Sequence, residues 1–184
     1  MRENDIRTLP DGSHFNFKGF EWIALDNDVD GGVLAIMASA WNEEEYRFYE
    51  GCCGNYAKSS LRRKLNELIP VLGEDNLIPH EVDLVADNGD DRYGKVSDKV
   101  FILSCDEYRK YRKNVPLLPE WMWTCTPWYI TDSGNSYNAR YVDAYGRLNC
   151  SYASNTYGVA PTCVFNPEKV KIEYQIVNIK EKSE

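Results

Sequence analysis

The sequence predicts a single α+β domain of antiparallel sheets with about two helices. Three observations carry this expectation. The length of 184 residues suits one hydrophobic core. Short runs rich in Phe, Trp, Val and Ile alternate with Gly, Asn and Asp clusters, the punctuation of strands and turns. Only residues 59–69 and 105–113 carry clear helical signals. Hydrophobic residues make up 43% of the chain and aromatics 13%, which excludes global disorder.

Taken in order, residues 14–27 read as strand material, with Phe15, Phe17, Phe20, Trp22 and Leu25 around a Lys18-Gly19 turn. A turn cluster at 26–32 and an apolar run at 33–37 complete a hairpin with a polar tip. Residues 41–56 are aromatic and irregular, and Gly51, Cys52, Cys53 and Gly54 suggest a tight loop. In residues 59–69, Leu61, Leu65 and Leu68 share one helical face and Arg62, Arg63 and Glu67 the other. Ser59 or Ser60 caps this helix and Pro70 is expected to end it. Residues 74–93 are polar and read as a loop or a weak strand pair.

Residues 100–103 read as a buried strand. Ser104 and Glu107 have the S-x-x-E spacing of a capping box, so a helix should follow over 105–113, with Tyr108 and Tyr111 on its apolar face and Pro116 and Pro119 beyond it. From Trp121 the composition changes. Segments 141–143, 144–146 and 148–151 suggest short strands joined by turns. Residues 158–165 read as one buried strand. The closing stretch, 167–179, alternates Val170, Ile172, Tyr174 and Ile176, as a half-buried strand does, and a charged tail follows over 180–184. There are no repeats and no linker, so residues 1–184 are expected to form one domain.

The net charge of −8 and pI near 4.9 oppose binding to a phosphate backbone. They permit attraction to a basic partner. The excess sits at Glu43, Glu44 and Glu45, and in a run holding Glu74, Asp75, Glu81, Asp83, Asp87, Asp90 and Asp91 without Lys or Arg. No apolar run approaches the ~20 residues of a membrane span. The charged residues 1–10 lack the apolar stretch of a signal peptide. A cytoplasmic location follows as the expectation, with the six Cys mostly free thiols. No C-x-x-C occurs, so zinc is not expected, and with no H-E-x-x-H, Walker or G-x-G-x-x-G sequence no other cofactor is expected.

Six ordered motifs resemble a domain family of unknown function found in gut bacteria and their phages. They are W-I-A-L-D at 22–26, S-S-L-R-R-K-L-N at 59–66, D-K-V-F-I-L-S at 98–104 with Glu107, the Trp-rich 121–127, Y-V-D-A-Y-G at 141–146 and G-V-A-P-T at 158–162. The resemblance covers about residues 12–166. That family in turn resembles a compact C-type-lectin-like fold, shared by phage receptor-binding variable proteins and formylglycine-generating enzymes. Fold membership alone does not settle function. The chain departs from the family at Cys125 and Ala160, where the family usually has Arg.

Each candidate site has a plain structural alternative. Asp26, Asp28, Asp30 and Gly31 match the front of a calcium loop, but its twelfth position is Met37, so a hairpin tip is expected. The acidic loop 87–91 could offer oxygens to calcium, yet the lectin sugar-reading triplets are absent. His14 and His80 are the only histidines and sit in no nucleophile motif. Cys150 and Cys163 fall in the region where a formylglycine-type pair would lie, with buried apolar packing as the default.

The most suggestive stretch is 131–157. Tyr137, Tyr141, Tyr145, Tyr152 and Tyr157, with Trp128 before them, are interleaved with Asn138, Asn149, Asn155 and several Ser. Rigid amphipathic rings among adaptable hydrogen-bonders are the composition of a binding face. In the lectin-like variable proteins the corresponding region displays the binding residues. The alternative is ordinary Tyr-rich hairpins covering the core. The expected function is a non-enzymatic protein-binding module of phage or mobile-element origin. Its narrower form is an acidic anti-defence inhibitor, anti-CRISPR-like, of a basic host nucleic-acid-binding protein. Glycan or small-ligand binding, or a relative of the formylglycine-type oxidases, is the alternative.

Overall fold

Two five-stranded sheets carry the fold. The computed structural model describes residues 3–51 and 53–173. The first sheet has the order β2 (His14–Phe17), β3 (Phe20–Val29), β4 (Gly32–Met37), β13 (Thr162–Phe165) and β6 (Leu77–Ile78), antiparallel throughout. Its two hairpins turn on two residues each, Lys18-Gly19 and Asp30-Gly31. All four have positive φ, as type I′ turns require. The polar tip expected over 26–32 is therefore mostly strand, bulged around Asp26.

The second sheet has the order β11 (Leu148–Tyr152), β10 (Asn138–Val142), β9 (Met122–Pro127), β12 (Thr156–Gly158) and β5 (Glu45–Arg47). Only its β12–β9 contact is parallel. Two small pairs complete the sheets: β7 (His80–Asp83) with β8 (Lys95–Asp98), and β1 (Glu3–Asp5) with β14 (Lys171–Glu173). The helices are α1 (Ser60–Leu65), α2 (Leu68–Leu72) and α3 (Cys105–Tyr111). The α+β class and its two helical regions are as the sequence predicts.

The core lies where the sheets meet the helices. Every residue of β4, β9 and β13 is buried. Phe165 receives Phe15, Phe17 and Trp22 edge-on, with centroids 5.0 to 5.7 Å apart. Asp98, almost fully buried, takes a bidentate bond from Arg62 (2.7 and 2.9 Å), which ties α1 to β8. No helix among the described residues is long and apolar enough to cross a membrane.

Several elements differ from the sequence expectation. Residues 158–165 are not one strand: β12 ends at Gly158, residues 159–161 cross between sheets, and β13 begins at Thr162. An apolar run does not reveal that its halves join different ladders. Gly158 has a local reason, since a Cβ there would stand 2.6 Å from the Trp121 carbonyl. Residues 100–103 are buried but form no ladder among the described residues: Phe101 makes an isolated bridge to Thr162, and Cys125 N bonds Leu103 O.

The single helix expected over 59–69 is two, α1 and α2, separated at residues 66–67, and Pro70 ends neither. It sits in the first turn of α2, where its missing N–H has no intrahelical partner, and Gly73 (φ 86°) follows the last turn. The capping box of Ser104 and Glu107 forms in full, but α3 stops at Tyr111. Residues 144–146 are a turn between β10 and β11 rather than a strand. The polar stretch 74–93 contains β6, which joins the first sheet at its edge, and β7. Of the closing strand only β14 falls among the described residues. Residues 174–179, the tail 180–184 and Cys52 lie outside them.

Candidate functional site

The loop of residues 86–93, between β7 and β8, is fastened to the segment that links β9 to β10. Asp87 N donates to Pro127 O at 3.1 Å. Arg92 Nη2 donates to the carbonyls of Thr131 (2.7 Å) and Ile130 (3.3 Å), and the Tyr93 hydroxyl to Gly134 O (3.3 Å). Arg140 Nε on β10 lies 3.2 Å from Asp87 Oδ2, in ion-pair range but without hydrogen-bond alignment. The two stretches that the sequence singles out, acidic loop and aromatic segment, thus form one surface.

Asp87 stands at its centre. On one side, exposed Trp128 and Tyr129 meet edge-to-face at 5.0 Å and, with Asn88, border a shallow cavity of about 610 Å³. On the other side lies a cleft of about 680 Å³ between β7, the start of α3 and the loop. His80, Asp83, Ser104, Glu107 and Arg109 face it.

Much of the negative charge on this surface is already partnered. Glu74 pairs with Lys99, Glu81 with Lys95, Asp87 with Arg140 and Asp90 with Arg92, at 2.6 to 3.2 Å. Among the described residues, the Asp83 carboxylate accepts only the Val85 N–H. Among the described residues, Asp75 and Asp91 keep carboxylates free of any such contact. The Arg92 bond holds the Asp90 carboxyl below its ordinary range.

His80 joins three elements at the cleft wall. Its Nδ1 is 2.6 Å from Asp30 Oδ2 on the β3–β4 turn, and its Nε2 is 2.9 Å from Glu107 Oε1 on α3. The ring stacks on Phe101 at 4.7 Å. Burial opposes the charged ring, but the bonds and charges of Glu107 and Asp30 outweigh it, so the His80 pKa is raised. Ser104 Oγ bonds Glu107 Oε2 at 2.9 Å. The chain therefore runs Ser–Glu–His–Asp. Nucleophilic catalysis needs His against Ser, and here both ring nitrogens are occupied by carboxylates.

The predicted binding residues divide in two. Trp128, Tyr137, Tyr145, Tyr152 and Asn155 are exposed, whereas Asn138, Asn149 and Tyr157 are half-buried and Tyr141 is buried. Tyr141 and Tyr157 pack with Trp121 and Trp123, with Tyr141 stacked on Trp121 at 5.1 Å and an interplanar angle of 6°. Asn149 bonds Asp143 (3.3 Å) and Asn155 bonds Ser151 (2.7 Å). Tyr145 sits on the β10–β11 turn, at the other end of the hairpin from Tyr137, with Arg147 over its ring.

Comparison with protein families, characterised proteins and solved structures gave no match. The chemistry of the site must be read from its own residues.

The calcium-like aspartates do not converge. Asp26 accepts from the Tyr111 hydroxyl (2.9 Å) and Asp30 holds His80. No group of three or more His, Cys, Asp or Glu suited to a metal occurs among the described residues. Cys163 lies in β13 and Cys150 in β11, so the two belong to different sheets. Burial pushes the Cys105, Cys125 and Cys163 thiols up. Cys125 fills a wholly buried position, and Ala160 is buried as well.

Sequence reasoning missed His80, Glu107, Arg92 and Arg140 as parts of the surface. The only signal for Glu107 was its capping role, and that role hides its second oxygen, which reaches His80.

Proposed function

We propose that this chain is a non-enzymatic protein-binding module that holds a basic segment of another protein. The observation supporting this reading is the junction at Asp87. Exposed Trp128 and Tyr129 lie beside a loop whose Asp91 carboxylate has no partner among the described residues. Exposed rings next to carboxylates suit Arg and Lys side chains, which gain cation–π contacts and charge-assisted bonds together. The narrower form is an inhibitor that occupies the basic channel of a nucleic-acid-handling protein in the cytoplasm of a bacterial host. The internal pairing of the acidic run favours recognition by a few groups over a diffuse negative field.

The test is capture from bacterial lysate at low and high salt, comparing the native protein with the double variant Trp128→Ala/Asp91→Asn. A basic protein held by the native chain, released by salt and lost in the variant, is the expected result. Capture that is equal in both would end the reading. The cleft on the other side of Asp87 gives small-ligand or glycan binding a second place, and a glycan and metal screen on the native protein addresses it.

A further inference from the structure

Strand β11 is an edge of the second sheet, and its free side can be derived from the ladder. Asp143 N donates to Arg147 O, and Ala153 N to Tyr137 O, on either side of the β10–β11 pairing. In an antiparallel ladder, bonded and non-bonded pairs alternate. The pairs Tyr141–Asn149 and Ala139–Ser151 are therefore the bonded ones. Those of Leu148, Cys150 and Tyr152 with β10 are not, so their N–H and C=O groups point away from the sheet. The Tyr152 carbonyl accepts Asn155 N, and the Leu148 carbonyl accepts Arg140. The three N–H groups and the Cys150 carbonyl have no partner among the described residues.

The other edges of the two five-stranded sheets are guarded. Edge β5 is three residues long and carries Glu45 and Arg47, edge β6 has two residues, and β14 lies against edge β2. Strand β11 is five residues without Lys, Arg, Asp, Glu or Pro; among the described residues the one charged side chain bonded to its free side is Arg140, at the Leu148 carbonyl. It also runs toward the proposed binding face. Tyr152 pairs with Asn138, whose neighbour Tyr137 is exposed and whose carbonyl accepts the Trp128 N–H.

We infer that β11 receives an extended strand from the partner, which extends the sheet to six strands and leads the partner's chain toward Trp128 and Asp87. This deepens the binding-module reading and rests on it. Bonds from the N–H groups of Leu148, Cys150 and Tyr152 and to the Cys150 carbonyl supply the pairing, and the aromatic and acidic groups beyond select the side chains. The partner strand is basic and alternating. With a net charge of −8, two copies of this chain repel, whereas a strand bearing Arg or Lys is attracted.

The test uses a fluorescein-labelled octapeptide of alternating Arg and Val, followed by anisotropy. The same peptide methylated on every backbone nitrogen, which leaves neither of its edges able to donate, is the control for strand pairing. Cys150→Pro removes an outward N–H that β10 does not use, a position where an edge strand tolerates proline. Cys150→Ala removes only the thiol.

Saturable binding that is kept in Cys150→Ala, and at least ten-fold weaker in Cys150→Pro and for the methylated peptide, is the expected result. The methylated peptide reports on the native protein, so it decides the question even if the proline variant unfolds. Binding that ignores methylation but falls in Trp128→Ala/Asp91→Asn would overturn strand addition and leave the binding face standing. No peptide binding at all would also overturn strand addition, while the lysate capture still decides the face. A native dimer that Cys150→Pro dissociates would assign the edge to a second copy and overturn the partner named here.

Discussion

His80 Nε2 lies 2.9 Å from Glu107 Oε1, so the β7–β8 hairpin is fastened to the first turn of α3 by a histidine held between two carboxylates. Its raised pKa gives this contact a pH dependence of definite sign. The folded protein holds the His80 proton more tightly than the unfolded chain, whose histidine titrates near 6.5. The stabilisation is therefore complete below about pH 6.5 and is lost as pH rises through the folded value. Thermal unfolding at pH 5.5 and 8.5 should show the native protein losing more stability at high pH than His80→Gln. Equal losses would remove the assignment. At pH 5.5, His80→Gln should cost about 1.5–3 kcal/mol, the range for bonds to charged groups.

Asp98→Ala should be among the more damaging single changes outside the aromatic core. It leaves the Arg62 guanidinium without the carboxylate that raises its pKa. A broken buried pair costs about 3–5 kcal/mol, and the partial exposure of Arg62 brings the expectation to about 2–3 kcal/mol. Urea unfolding measures it. A loss below about 0.5 kcal/mol would mean that water replaces Asp98 without penalty.

Gly158→Ala should disturb the aromatic cluster without touching any of its rings. The added methyl would stand 2.6 Å from Trp121 O and 3.2 Å from Glu120 Cβ, so backbone must move. A cost of about 1–3 kcal/mol is expected from overpacking. Near-ultraviolet circular dichroism should change with it, because Trp121 and Tyr141 are stacked. An unchanged spectrum with unchanged stability would contradict the packing described here.

Elements encoded by neighbouring residues were legible in the sequence. The Lys18-Gly19 turn, the Ser59 cap and the Ser104–Glu107 capping box each depend on residues within a few positions. Elements set by distant partners were not. The apolar run 158–165 divides because β12 meets β5 and β9 while β13 meets β4 and β6. The acidic run was visible as composition. Its neutralisation was not, since Asp87 finds Arg140 and Glu74 finds Lys99 only in the folded chain. The Tyr-rich stretch gave residue types but not facing. Tyr141 and Tyr157 turn inward against Trp121 and Trp123, while Tyr137 and Tyr152 remain outside.

The placement of Cys163 gives the protein a chemical clock. Its thiol is fully buried in the middle of the first sheet, with its pKa pushed up, between strands that must separate before any reagent can reach it. Cys53 and Cys150 are partly open and react without that separation. Under native conditions, alkylation of Cys163 therefore times the opening of the first sheet, and its half-life reads unfolding without denaturant.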